Sequence, residues 1–250
     1  MSENQTNITS HVVQITGLKK SFGENFVLRD FNLDLNDGEN VVVLGKSGSG
    51  KSVLIKCIIG LIRPDEGMIE VFGNDVTKLS HDELDKMRLK VGFLFQSNAL
   101  YDSMTVRENL EFPLRRHWSK KEMVNANELI IEALTNVGLT ETIDMMPSEL
   151  SGGMRKRIAL ARTLILKPKI ILYDEPTTGL DPITGKEISN LMVEIQKKYK
   201  TSSIIISHDM NCVKITANRI VLLIDGICYA TGTYEELSKS SDIKIKQFFD

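Results

Sequence analysis

Residues 41–52 read VVVLGKSGSGKS and join an aliphatic run to a glycine-rich loop. The first four residues form an aliphatic run of the kind found in strands buried on both faces. The next eight match G-x-x-x-x-G-K-[ST], a phosphate-binding loop that joins a strand to a helix. Gly45, Gly48 and Gly50 let the backbone curl so that several N–H groups face inward. The alternative, a glycine-rich turn without a ligand, does not require the strand before it or the helix after it.

The same loop carries the side chains that a bound ATP and its Mg²⁺ require. Lys51 is expected to reach the β- and γ-phosphates, and the Ser52 hydroxyl is expected to bind Mg²⁺. A helix beginning at Lys51 adds about half a positive charge at its N-terminus, which favours phosphate. The predicted ATP-binding residues of this loop are Gly45, Lys46, Ser47, Gly48, Ser49, Gly50, Lys51, Ser52 and Val53.

Two adjacent acids end another apolar run, residues 170–175, IILYDE. Ligands of parallel sheets bind at the carboxyl ends of the strands, and both acids are expected there. Asp174 is predicted to hold Mg²⁺, directly or through water. Glu175, expected on the other side of the chain, is predicted to be the general base that activates water. The alternative is an acidic turn without a ligand.

Two further polar residues follow predicted strands. Gln96 comes after residues 91–95, and His208 comes after residues 204–207. In a parallel sheet both lie along the same edge as the acids, near the γ-phosphate. We predict that both are catalytic residues and that Gln96 is also a metal ligand. A single Gln or His at a strand end is usually only a capping or turn residue, and it is their common placement that favours a functional role.

A second glycine-rich segment occurs about a hundred residues after the first. Residues 147–163 read PSELSGGMRKRIALART, in which Ser151, Gly152 and Gly153 precede a basic segment with a helical pattern. The first N–H groups of a helix have no acceptor within the helix, so a helix beginning with these residues offers bare donors to an anion. The chain therefore carries two predicted phosphate-binding helix starts.

Apolar runs alternate with helical patterns along the rest of the chain, which predicts an α/β fold. Five runs predict a parallel sheet: residues 41–44, 91–95, 170–173, 203–206 and 220–224. Residues 27–35 and 67–72 predict a small antiparallel sheet beside it. Four capping boxes predict helix starts, at residues 80–83, 105–108, 119–122 and 233–236. Residues 97–165 contain helical patterns only and are predicted to be an inserted helical subdomain.

The composition is that of an ordinary globular protein. The 250 residues are 42% hydrophobic and 26% charged, with a net charge of -2. A nucleic-acid partner is not predicted, because such proteins usually carry a basic surplus. The basic clusters at 115–116 and 155–157 are interpreted as solvated helix faces, with contact to an anionic partner as the alternative. Three widely spaced cysteines and the absence of a signal peptide predict a cytosolic protein. No apolar run is long enough to span a bilayer, so if this protein serves a membrane, another chain is expected to cross it.

These motifs together resemble the ATP-binding subunit of ABC transporters over essentially the whole chain. The matching segments, in the order of that family, are GKSGSGKS at 45–52, Gln96, LSGGM at 150–154, ILYDE at 171–175, TGLD at 178–181 and His208. The resemblance implies a P-loop NTPase with a RecA-like parallel sheet, a small antiparallel β subdomain and an inserted helical subdomain. It implies one ABC ATPase domain over residues 10–250, with residues 1–9 as a flexible N-terminus.

The resemblance also explains the second helix start. In this family two copies pair head to tail, so Ser151, Gly152 and Gly153 are expected to contact the γ-phosphate of an ATP bound by the other copy. Asp181 is expected at the interface between the copies, where it links the two sites. Phe22 stands where the family places an aromatic residue that stacks on adenine, although a core position explains a lone aromatic equally well.

A narrower resemblance is to the ATPase of Mla-type phospholipid transporters, carried by residues 93–117, 146–163 and 174–184. It implies lipid movement between the inner and outer membranes, and a peripheral location on the cytoplasmic face of the inner membrane. The implied partners are an integral-membrane permease, a second copy, a periplasmic lipid-binding subunit of the MCE type and a small cytoplasmic regulatory subunit. Met154 replaces the glutamine that most ABC ATPases have there, as in this lipid-transport branch.

A groove for a permease helix is implied beside the helical insertion. Its expected apolar lining is Ala99, Leu100, Tyr101 and Met104, with ordinary core packing as the alternative. Three other functions are alternatives: transport of another substrate, a soluble ABC ATPase acting on DNA or ribosomes, and a P-loop phosphotransferase. The soluble relatives usually carry a long coiled coil or two fused halves, and a phosphotransferase has no use for LSGGM.

Overall fold

The computed structural model describes residues 11–119 and 122–249. The predicted flexible segment 1–9 lies outside these residues, and so does part of the predicted capping box at 119–122. The strands are β1 (His11–Phe22), β2 (Asn25–Asn36), β3 (Asn40–Leu44), β4 (Glu66–Val71), β5 (Asn74–Asp75), β6 (Val91–Leu94), β7 (Ile170–Asp174), β8 (Ser202–Ser207), β9 (Arg219–Ile224) and β10 (Ile227–Gly232). They join in the order β5-β4-β1-β2-β10-β9-β3-β8-β7-β6.

The parallel part of the sheet is the one predicted. β9, β3, β8, β7 and β6 are parallel neighbours, and each end lies within one residue of the predicted end. Val42 of β3 pairs with Ile205 of β8 on one side and with Ile220 of β9 on the other. Every residue of β3 and β8 is buried, which explains their continuous apolar runs.

The antiparallel part contains one long strand that the pattern did not predict. β1 pairs with both β2 and β4, and a single parallel pair between Ile227 and Asp30 connects this part to β10. The apolar alternation of β1 is interrupted because Gly17 has φ 60 and the register shifts between Ile15 and Leu18. A bulge of this kind moves later side chains to the other face and hides the period of two.

The helices are α1 (Lys51–Ile58), α2 (His81–Arg88), α3 (Val106–His117), α4 (Ala126–Val137), α5 (Gly152–Leu164), α6 (Pro182–Tyr199), α7 (Met210–Thr216), α8 (Tyr234–Ser238) and α9 (Ile243–Lys246). Among the described residues, only helices and turns lie between β6 and β7. Reciprocal capping boxes at the starts of α2, α3 and α8 are formed as predicted, by Ser80, Thr105 and Thr233.

Alternate residues of the parallel strands enter two separate cores. Val42 and Tyr173 belong to the core shared with α3–α7, whereas Val41 and Leu172 belong to the core shared with α1 and the antiparallel strands. Full burial of such a side chain contributes about 1.5–3 kcal/mol to folding. The sheet is therefore fixed from both faces, and the carboxyl ends of its strands remain at one edge for a site.

Candidate active site

The glycine-rich loop follows β3 and is shaped by close backbone contacts. Gly50 has φ 99, and a Cβ there would lie 2.5 Å from Cγ1 of Val27. A Cβ on Gly45 would lie 2.7 Å from the carbonyl oxygen of Leu223. Both distances are shorter than any normal carbon contact, so these positions require glycine. The loop also holds a buried hydroxyl oxygen, Oγ of Ser49, without a hydrogen-bond partner among the described residues.

Lys51 points back into this loop. Its Nζ donates to the carbonyl oxygens of Gly45, at 2.7 Å, and Lys46, at 3.0 Å, and lies 3.8 Å from Oε1 of Glu175. Burial lowers the pKa of Lys51, and the carboxylates of Glu175 and Asp174 oppose that change. The ammonium is therefore held where phosphate oxygens of a nucleotide can replace the two carbonyl oxygens.

Ser52 and Asp174 meet at the base of the loop. Oγ of Ser52 donates to Oδ1 of Asp174 at 3.0 Å, and the pKa of Asp174 is raised by burial, against the effect of this hydrogen bond. Residues 11–119 and 122–249 contain no group of three or more His, Cys, Asp or Glu side chains able to hold a metal alone. The pair fits Mg²⁺, which takes few carboxylate ligands and completes its shell with water and phosphate oxygens.

Glu175 occupies a strained backbone position just after β7. Its φ is 50, in the left-handed region, and its N–H donates to the carbonyl oxygen of Ile206 at 3.0 Å. Oε2 lies 2.8 Å from Nδ1 of His208 and accepts from Oγ1 of Thr178 at 3.3 Å. A non-glycine residue in such a region costs on the order of 1–3 kcal/mol and often marks a functional site. The carboxylate is thus oriented by two partners from different loops.

Lys51, Ser52 and Glu175 line one cavity of about 470 Å³ at the carboxyl edge of the sheet. Its lining residues are Phe22, Val27, Ser47, Gly48, Gly50, Lys51, Ser52, Val53, Gln96, Glu175 and His208. Gln96 and His208 therefore line the same cavity as Glu175, as their strand-end positions predicted. Phe22 is 51% exposed on this cavity and is not a core residue. Its ring faces outward, with Nζ of Lys20 5.3 Å from its centroid.

The second helix start lies outside this cavity. α5 begins at Gly152, and Oγ of Ser151 accepts from the N–H of Met154 at 3.2 Å. The expectation of a bare helix start is therefore corrected, because Ser151 caps its own helix as serine commonly does. The N–H groups of Gly152 and Gly153, at the first two positions of the helix, still have no acceptor within it. None of residues 151–153 lines the cavity of its own chain.

The comparisons with known proteins agree with this geometry. The sequence model of the family described as "ABC transporter" matches residues 28–178, which include the loop, Gln96, the second helix start and both acids.

The chain belongs to the ABC transporter family.

Two curated proteins are similar in sequence to this ABC ATPase. It is 40% identical over 238 residues to the probable ribonucleotide transport ATP-binding protein mkl of Mycobacterium leprae, covering 95% of this chain and 68% of the relative. It is 35% identical over 241 residues to the intermembrane phospholipid transport system ATP-binding protein MlaF of Haemophilus influenzae, covering 96% and 91%.

The solved structure is a dimeric ATP-binding cassette in a post-hydrolysis state, bound to ADP and phosphate. It superposes with a TM-score of 0.78 at 34% identity, over 88% of this chain and 98% of the cassette. This chain is therefore an ATP-binding ABC ATPase with the expected P-loop fold. No helix in residues 11–119 or 122–249 has the length and apolar character needed to cross a bilayer.

Asp181 has a role in this ABC ATPase that the sequence interpretation missed. Its Oδ1 accepts from the N–H groups of Ile183, at 3.1 Å, and Thr184, at 3.0 Å, and its Oδ2 accepts from Oγ1 of Thr184 at 2.6 Å. Asp181 therefore caps α6, and the Asp-Pro pair at residues 181–182 is a recognisable signal of such a start. Asp181 stays exposed, so the predicted interface role is compatible with the cap.

Two further residues at the site were not singled out by the sequence. Thr178 contacts the Glu175 carboxylate, as given above. Lys156 of α5 is only 1% exposed, and its Nζ donates to the carbonyl oxygen of Gln96 at 3.0 Å. The interpretation of residues 155–157 as a solvated helix face is therefore wrong for Lys156, because nothing local in the sequence indicates that this side chain is buried.

The expected permease groove is partly exposed. Tyr101 is 42% exposed and stacks against Phe112, with ring centroids 4.8 Å apart. Ala99 is exposed, and Leu100 and Met104 are half-buried. These residues are therefore not all buried in the core. The surface beside the loop that follows Gln96 has exposed apolar area that a partner can contact.

Proposed function

We propose that two copies of this ABC ATPase close head to tail around two ATP molecules and thereby drive a phospholipid-transporting membrane permease. One structural observation supports the proposed dimer. Part of the phosphate loop, Ser52 and Glu175 line the cavity, and Ser52 is hydrogen-bonded to Asp174, whereas residues 151–153 of the same chain lie outside it. The free N–H groups of Gly152 and Gly153 can bind an anion, but the nucleotide cavity of the same chain lies away from them. A second copy supplies that anion as the γ-phosphate of its own ATP.

The chemistry at each site follows from the oriented side chains. Ser52, Asp174 and Gln96 would hold Mg²⁺, which would neutralise negative charge on the phosphates. Lys51 exchanges its two loop carbonyls for phosphate oxygens. The Glu175 carboxylate, fixed by His208 and Thr178, accepts the proton of the attacking water. Loss of the γ-phosphate removes the contact to residues 151–153, so the dimer opens after hydrolysis.

The solved cassette supports the dimer, because that structural relative is dimeric and contains ADP and phosphate. The Haemophilus relative supports a phospholipid substrate, since it covers nearly the whole chain and its name states intermembrane phospholipid transport. The mycobacterial relative, named for ribonucleotide transport, supports the alternative of another substrate. We place the protein on the cytoplasmic face of the inner membrane, with MCE-type and regulatory subunits as further partners.

Adding a negative charge at Gly152 tests the contact between copies. A Cβ there meets only Cδ2 of Leu180, at 3.9 Å, so Gly152→Asp is expected to fold normally. Its carboxylate repels the γ-phosphate, and ATPase activity is expected to fall at least about tenfold, equivalent to about 1.4 kcal/mol. The measurement is ATP turnover together with the thermal midpoint.

The matched control is Asn127→Asp, which adds the same charge in the first turn of α4. Asn127 accepts a hydrogen bond from Arg107 at 2.7 Å through its oxygen, and an aspartate keeps that acceptor. Wild-type turnover in Gly152→Asp would contradict the placement of residues 151–153 against ATP.

The proposed partner and cargo are tested by purification from the native host. The tagged protein is expected to co-purify, in mild detergent, with an integral membrane protein, and mass spectrometry is expected to find phospholipid in that complex. Tyr101→Asp places a charge in the exposed groove and is expected to reduce recovery of the membrane protein severalfold, without changing the thermal midpoint by more than a few degrees. Recovery of ribosomes or DNA, with no membrane protein, would reject the transport proposal.

A further inference from the structure

A buried lysine joins the second helix start to the Gln96 loop. Lys156 lies on α5, is 1% exposed, and donates from Nζ to the carbonyl oxygen of Gln96 at 3.0 Å. Burial lowers the pKa of Lys156 to about 8, and the Asp174 carboxylate opposes this change. Burying an ammonium is unfavourable unless polar partners compensate, so an apolar side chain would serve better if packing were the only requirement.

The same helix holds the backbone that follows Gln96. The Arg162 guanidinium donates to the carbonyl oxygens of Asn98, at 3.0 Å, and Ala99, at 2.8 Å. Asn98 and Ala99 have φ 64 and 50, so two consecutive non-glycine residues adopt the left-handed region. Such a backbone persists only where its surroundings fix it. Arg162 holds the carbonyls of these two residues and Lys156 holds the carbonyl of Gln96 just before them, and both side chains belong to α5.

α5 therefore touches two different ATP sites in the proposed dimer. Residues 151–153, at its N-terminus, face the ATP of the partner copy. The side chain of Gln96, whose carbonyl Lys156 holds, lines the ATP cavity of its own copy. A helix transmits a displacement along its axis as a stiff body, and the hydrogen bond from Lys156 passes that displacement to the Gln96 backbone.

We propose that Lys156 is a positioning residue that couples the two ATP sites, because it makes Gln96 at one site move with the helix start that closes the other. The coupling rests on the proposed function, since it requires two shared sites. Lys156 touches no nucleotide in this arrangement. Its removal is therefore expected to change cooperativity and turnover, while the binding of ATP to a single phosphate loop stays the same.

The test replaces Lys156 by methionine, which keeps most of the side-chain volume and removes the charged donor. In the wild type, the ATP dependence of hydrolysis is expected to show a Hill coefficient approaching about 2, the limit for two sites. In Lys156→Met we expect a coefficient of about 1. We expect kcat to fall about tenfold, as the loss of one charge-assisted hydrogen bond implies. Nucleotide affinity, measured with a fluorescent ATP analogue on dilute monomer, is expected to stay within about twofold.

Two further variants separate coupling from structure. Lys156→Arg keeps a buried cationic donor and is expected to restore much of the cooperativity. Lys167→Met, just after α5, removes only an exposed ion pair to Glu132 and is expected to behave as the wild type. If Lys156→Met unfolds below the assay temperature, Lys156→Gln replaces it, because glutamine is polar but too short to reach the Gln96 carbonyl.

The possible results distinguish the coupling role of Lys156 from the proposed dimer. Wild-type cooperativity in a folded Lys156→Met or Lys156→Gln protein overturns the coupling role and leaves the dimer proposal standing. A wild-type protein that stays monomeric with ATP and hydrolyses it without cooperativity overturns the dimer proposal and the coupling together. Equal loss in Lys156→Met and Lys156→Arg, with unchanged Hill coefficients, identifies Lys156 as structural only and also overturns the coupling.

Discussion

The Glu175→Gln protein is expected to bind ATP normally, to lose hydrolysis almost completely and to accumulate as a dimer. Glutamine has nearly the same shape as glutamate and still offers an oxygen to the Thr178 hydroxyl, which lies 3.3 Å from the wild-type carboxylate. It cannot take a proton from water. A general base contributes about 10²- to 10⁴-fold in rate, so turnover is expected to fall by at least about 100-fold. Without hydrolysis, the γ-phosphate continues to hold the second copy.

Size-exclusion chromatography with light scattering, run with and without ATP and Mg²⁺, measures this dimer directly. Glu187→Gln serves as the matched control, because Glu187 is a half-exposed partner of Arg157 at 2.8 Å on α6. The control is expected to hydrolyse ATP and to leave the column as the wild type does. Turnover above a tenth of wild type in Glu175→Gln would mean that another group activates the water.

The Lys51→Ala protein is expected to bind ATP much more weakly. The loop holds the Lys51 ammonium where the phosphates are expected. Its Nζ lies 3.8 Å from Oε1 of Glu175. A hydrogen bond to a charged group contributes about 1.5–3 kcal/mol, so the dissociation constant for ATP is expected to rise by about 10- to 100-fold. Titration calorimetry measures the affinity, and Lys86→Ala, at an exposed position of α2, is the control.

The loss of Lys51 also removes hydrogen bonds to two loop carbonyls and the cation beside Glu175. The thermal midpoint is therefore expected to fall by a few degrees while the protein remains folded, since Lys51 is on the first turn of α1 and contributes little to the core. Unchanged ATP affinity in a folded Lys51→Ala protein would show that the nucleotide lies elsewhere.

Much of the parallel sheet and of the site could be predicted because both depend on local signals. Continuous aliphatic runs such as residues 41–44 occur only where both faces are covered, and polar residues that follow such runs share one edge of the sheet. Gln96, Glu175 and His208 were found in this way. β1 was missed because a bulge at Gly17 disrupts its alternation, and its pairing with β2 and β4 depends on contacts distant in sequence.

Other features of the site depend on contacts that were not predicted from local sequence patterns. Ser151 was expected to leave its helix start bare, yet it forms the cap, since a serine before a helix favours its own backbone donors. Lys156 and Gln96 are separated by sixty residues in the chain, and only the packed structure shows their hydrogen bond. The left-handed backbone of Glu175 is likewise set by the β8 carbonyl that its N–H contacts.

A structure of the Glu175→Gln protein with ATP and Mg²⁺ will show whether two copies share each nucleotide. We expect two copies related by a twofold axis, with the N–H groups of Gly152 and Gly153 of each within hydrogen-bond distance of the γ-phosphate held by the Lys51 loop of the other. An ATP-loaded structure in which residues 151–153 face solvent in every assembly, with no second copy opposite the nucleotide, would rule out the shared site.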